Sequence, residues 1–83
     1  MATVRVRKGS DLSAVLVAAR HQLGWTQAEL AERIGVSRDY VGDIESGRLG
    51  MQVTRLLQSL GELGVDVILR FPADGSVEGE RDD

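Results

Sequence analysis

Apolar residues follow two rhythms along this chain, every second position near its start and again near residue 70, every third or fourth position in between. Thr3 to Lys8 alternates Val4 and Val6 with Arg5 and Arg7, the pattern of a short strand with one apolar and one cationic face. Gly9-Ser10-Asp11 breaks that strand and caps a helix, whose Leu12, Val15, Leu16, Ala19 and Leu23 share a face before Gly24 stops it. Trp25 stands just ahead of the next helix, where an apolar side chain can brace its first turns.

Thr26 followed by Glu29 is a capping box, in which each side chain satisfies the other residue's unpaired backbone N–H, so a helix begins at Gln27. Leu30, Ala31 and Ile34 line one side of it, and Gly35 can end it with a positive φ. Val36 is a turn residue, Ser37 a second N-cap, and Val41 with Ile44 gives a further helix its apolar side before Ser46-Gly47. After a loop at Arg48 to Met51, Val53, Leu56, Leu57, Leu60 and Leu63 mark a fourth helix ending at Gly64. Val65, Val67, Leu69 and Phe71 then alternate with Asp66, Ile68 and Arg70 until Pro72 stops the run, which reads as a strand. A strand cannot stand alone, so this one pairs with the N-terminal strand, with its own copy in a second subunit, or with both. The expected organisation is a domain over residues 1–72 followed by a polar, acidic, disordered tail over residues 73–83.

Composition narrows the chemistry. Eighty-three residues make one domain with a thin core, which gains from a partner subunit. The chain has no Cys and a single His, so neither a thiolate metal site nor a nucleophile paired with an obvious base is expected, and no cofactor is implied. His21 is expected to be a solvated helix residue. Pairs such as Asp39 and Asp43 are too common on helices to imply acid–base catalysis, and an enzyme is not expected. No apolar run approaches a membrane span and MATVRVRKGSDL lacks a signal peptide's apolar region, so a cytoplasmic location with no membrane partner is expected. The net charge of -3 opposes a nucleic-acid partner only superficially. Five of the thirteen acids lie from Asp74 onward with one base, Arg81, leaving nine basic against eight acidic residues before them. Arg5 and Arg7 suit either a phosphate-touching arm or an edge strand guarded by charge.

Thr26 to Gly47 thus spells helix, three-residue turn, helix, a geometry that buries one face of each helix and leaves the second free to enter a major groove. The stretch TQAELAERIGVSRDYVGDIESG resembles the helix-turn-helix of the lambda and 434 repressor and Cro superfamily, the Xre family. Its Gln-Ala-Glu-Leu-Ala start, Gly-Val-Ser turn and Ile-Glu-Ser-Gly end carry the likeness. The resemblance implies a mainly α, lambda-repressor-like domain of four to five helices, with a short C-terminal strand, joined by the N-terminal one, completing a sheet between subunits.

Groove docking assigns base reading to the first turn and exposed side of the second helix, Ser37, Arg38, Asp39, Tyr40 and Asp43. Arg38 can meet guanine O6 and N7 with its fork, whereas Asp39 or Asp43 can accept from cytosine N4 or instead orient Arg38. The family's readers at two of these places are often Gln, so the aspartates are a departure. Phosphate contact falls to Thr26 and Gln27 at a helix N-terminus, where anions are favoured, and the resemblance supports that role for Gln27. It also places Ser46, Gly47 and Arg48 against the DNA backbone and makes Arg20 and Glu45 an ion pair that locks helix packing.

One motif spans few base pairs, so a dimer on an inverted-repeat operator of double-stranded DNA is expected, with Val65, Val67, Leu69 and Phe71 as the dimerisation strand. LLQSLGELGVDVILR, a helix running straight into an alternating strand, resembles the HipB-type antitoxins. That likeness implies a small autoregulating repressor which neutralises a HipA-type kinase toxin. The alternatives are a stand-alone Xre-type regulator and an interaction module that uses the helix-turn-helix as scaffold.

Overall fold

Both caps of the central helices form as their residue types dictate. Thr26 Oγ1 accepts the Glu29 N–H at 3.0 Å while the Glu29 carboxylate accepts the Thr26 N–H at 2.7 Å, and Ser37 Oγ accepts the Tyr40 N–H at 3.0 Å. Between them Gly35 closes the first helix at φ +76°, a conformation that strains any residue with a Cβ. The computed structural model describes residues 1–72. These hold β1 (Ala2–Val6), α1 (Gly9–Gln22), α2 (Gln27–Ile34), α3 (Arg38–Glu45), α4 (Gly50–Glu62) and β2 (Val67–Phe71). The tail expected to be disordered lies outside the described residues.

The first helix starts earlier than its expected cap. Asp11 sits inside α1 rather than ahead of it, and its carboxylate reaches back to accept the backbone N–H groups of Arg7 at 2.8 Å and Lys8 at 3.1 Å. Those two hydrogen bonds hold the Asp11 carboxyl below its ordinary pKa, because they favour the charged form.

The two strands pair antiparallel within the one chain, with Val6 opposite Val67, Val4 opposite Leu69 and Ala2 opposite Phe71. Partners across a sheet share a face, so these six form the inner face, buried or half-buried and packed toward α1. Thr3, Arg5, Ile68 and Arg70 face outward, and Arg5 pairs with Asp66 across solvent at 2.6 Å. Of the pairings open to the C-terminal strand, the N-terminal one is therefore occupied. Val65 precedes β2 and is exposed, so it does not extend the strand's apolar face as the alternation suggested; the tight turn after Gly64 takes it out of register.

The core draws one buried side chain from almost every element: Val6 of β1, Ser13 of α1, Ala31 of α2, Val41 of α3 and Leu57 of α4. So few buried residues fit the thin interior expected of a domain this size. The apolar stripe of α4 is only partly used. Leu57 is buried and Val53 and Leu60 are half-buried, yet Leu56 and Leu63 remain 58 % and 76 % exposed. The stripe spans more of the helix circumference than the contact with the rest of the chain can cover.

Candidate nucleic-acid interface

The second helix of the motif is anchored by its apolar side and leaves the opposite arc free. Val41 has no exposed surface and Ile44 and Glu45 are half-buried, whereas Arg38, Asp39, Tyr40 and Asp43 are exposed. Ser37 caps this helix, so its hydroxyl accepts a backbone N–H at the N-terminal end. That end of α3 and the capped start of α2 place two sets of helix N-terminal N–H groups on the motif, an environment that favours anions.

Residues from three helices share one hydrogen-bond network beneath this surface. Arg20 on α1 grips Glu45 on α3 with two prongs, Nε to Oε2 at 2.6 Å and Nη2 to Oε1 at 2.9 Å, and donates a third bond to the Trp25 carbonyl at 2.6 Å. Gln27 on α2 donates its side-chain N–H to the same Glu45 Oε1 at 2.9 Å, lying across Gly42. Ser13 donates from α1 to the Ile44 carbonyl beside it. The Arg20 guanidinium, followed by the Gln27 amide, holds the Glu45 carboxyl below its ordinary pKa against the opposing effect of burial, and Glu45 in turn raises Arg20.

These contacts divide the expected DNA-facing residues by partner. Gln27, expected at a phosphate through its amide, has one of its two amide hydrogens engaged by Glu45, leaving one amide hydrogen and the backbone N–H at the helix start. Thr26 is engaged in its capping box through Oγ1. Asp43, considered as an orienter of Arg38, instead accepts from Arg48 at 3.0 Å on the exposed surface. Ser46 turns its hydroxyl onto the Asp43 carbonyl at 2.8 Å, Gly47 takes φ +96°, and the Arg48 N–H returns to the Asp43 carbonyl at 2.9 Å. The chain after α3 is thereby wrapped tightly around its own C-terminus. Arg38 and Asp39 make no hydrogen bond or ion pair through their side chains among the described residues.

Three contacts are not legible in the sequence or only faintly so. The Gln27 to Glu45 bond joins residues eighteen apart on different helices, which no local spacing reveals. The Arg33 guanidinium stacks over the Trp25 ring at 4.1 Å, which ties the exposed side of α2 to the residue ahead of it. Ser13 alone carries a signal, being a polar residue between Leu12 and Leu16 on an otherwise apolar stretch. Trp25 and Leu30 line one small apolar cleft with Leu16, Ala19 and Leu23, the arrangement of a staple across a helix start. Among the described residues no cluster of His, Cys, Asp and Glu could hold a metal ion, and no helix is long and apolar enough to cross a membrane.

Residues 11–70 match a protein family described as a helix-turn-helix domain. An uncharacterized HTH-type transcriptional regulator of Methanothermobacter thermautotrophicus is 37 % identical over 60 residues, covering 69 % of this chain and 87 % of that protein. The uncharacterized HTH-type transcriptional regulator y4mF of Sinorhizobium fredii is 29 % identical over 70 residues, covering 84 % of this chain and 92 % of that protein. No solved structure gives a significant match. With the motif's caps, turn and inter-helix ion pair in place across the matched span, the chain belongs to the Xre-type helix-turn-helix family.

Proposed function

We propose that the protein is a sequence-specific DNA-binding transcriptional repressor that acts as a dimer on an inverted-repeat operator and works by binding rather than catalysis. The observation that carries this reading is the open arc of α3, where Arg38, Asp39, Tyr40 and Asp43 are exposed while Val41 and Glu45 hold the helix down. Arg38 reads guanine, and Asp39 accepts from a base amine. Asp43 has its charge offset by Arg48, so the pair presents a neutralised edge to the groove while Arg48 retains donors for a phosphate. Ser37, Thr26, Gln27, Ser46 and Gly47 complete the backbone-contacting rim.

The finer reading is an antitoxin that represses its own operon and neutralises a HipA-type kinase toxin. It is supported by the α4–β2 order, a helix running into the C-terminal strand, as in the HipB-type proteins. Gel-shift binding to the promoter upstream of its own gene tests the repressor. Co-expression with a neighbouring kinase-like gene tests the antitoxin: absence of both complex and growth rescue removes that half and leaves a stand-alone regulator. Unchanged operator affinity after Arg38→Ala and Gln27→Ala together would leave only an interaction scaffold.

A further inference from the structure

Resting on the reading of a dimeric repressor, we infer that the second copy docks on the uncovered edge of α4, antiparallel to it, rather than on the apolar face of the C-terminal strand. The strand's Val67, Leu69 and Phe71 are turned inward against the chain's own helices, which leaves them little surface for a partner. The fourth helix offers the opposite. Leu56 and Leu63, seven residues apart, project from nearly the same line and are 58 % and 76 % exposed. Gln52 and Ser59 flank that line, uncharged, and the short Ser59 lets a second helix approach closely.

Charge selects the occupant and its direction. Arg55 and Glu62 are the only charged residues of α4, both exposed, seven apart, and both on the same flank of the Leu56–Leu63 line. A copy running antiparallel, centred near Gln58 and Ser59, brings Arg55 opposite the second copy's Glu62 and, by the two-fold axis, Glu62 opposite the second copy's Arg55. A parallel copy, related by an axis along the helix, would carry the two charged flanks to opposite sides of the seam and pair neither charge. The seam is therefore self-complementary in one orientation only. Val65, held by its N–H to the Leu60 carbonyl at 2.9 Å, is 47 % exposed just past the helix end.

Sedimentation of the full chain without DNA tests this. The wild type is expected to dimerise reversibly; Arg55→Glu or Glu62→Arg alone should each weaken the dimer by about tenfold, since each opposes like charges at two symmetric places. Combining the two substitutions should restore it. Leu56→Ser with Leu63→Ser should give monomers of unchanged helix content. A monomeric wild type, a charge-reversed double variant no tighter than the singles, or a dimer that survives the double serine substitution would each overturn the proposal. Because no DNA is present, failure here is distinguishable from failure of the repressor reading, which Arg38→Ala tests in the dimer as it stands.

Discussion

Arg20 and Glu45 stand twenty-five residues apart and meet in a two-pronged ion pair whose side chains are only 9 % and 6 % exposed. The pair ties the first helix to the end of α3, and Gln27 adds the helix between them. A planar guanidinium gripping both carboxylate oxygens fixes orientation as well as distance, so the attitude of α3 is set from below.

Removing one member of this pair strands the other in a site that excludes water. Arg20→Ala or Glu45→Ala should each cost about 3 kcal/mol, a fall of ~12–24 °C in Tm for a domain this small. Urea unfolding and calorimetry check it. Arg20→Lys should recover little, because an ammonium cannot make the two parallel bonds.

The same pair sets the acid limit of the fold. The Glu45 carboxyl titrates below its ordinary value because Arg20 and then Gln27 hold its charged form, and Asp11 does so through the Arg7 and Lys8 N–H groups. A carboxyl whose folded pKa is depressed contributes stability that is complete above its unfolded value, ~4, and is lost as pH falls through the folded one. Urea midpoints are expected to be flat from pH 7 to about 5 and to fall below it. In Arg20→Ala the acid-side slope should be shallower.

Arg38 is exposed and makes no side-chain hydrogen bond or ion pair among the described residues, so its loss should be silent in stability and visible in DNA binding. Arg38→Ala is expected to weaken operator binding about tenfold or more and to relax preference at one base pair. Fluorescence anisotropy across a set of single-base operator variants distinguishes this from a phosphate contact, which would weaken all sites alike. Affinity should also fall steeply with salt, and a flat salt dependence would exclude docking along the phosphates.

The turn between the motif's helices depends on Gly35. At φ +76° a Cβ meets no neighbouring atom but the backbone conformation itself is unfavourable, so Gly35→Ala should cost about 1 kcal/mol and Gly35→Asn less. Chemical denaturation of the two variants checks the order. Equal losses would mean that the left-handed backbone preference of the residue does not govern the site.

What the sequence determined by itself is whatever depends on neighbours within one or two turns. Thr26 with Glu29, Gly35 and Ser37 placed the central helices because caps and stops act locally, and Leu30, Ala31, Val41 and Ile44 marked their inner sides by periodicity alone. Alternation likewise revealed both strands, because side-chain period follows from backbone geometry. Tertiary structure decided which of several equivalent partners each group takes. The alternating run near residue 70 could pair in more than one way, and within the chain it lies against β1; Gln27 could not be assigned to Glu45, nor Asp43 to Arg48, by any spacing along one helix. The stripe of α4 looked uniform in sequence, and only the direction in which the helix packs separated buried Leu57 from exposed Leu56 and Leu63. Long-range partners are chosen by competition among groups with the same local chemistry, and that competition is resolved only when the whole chain is folded.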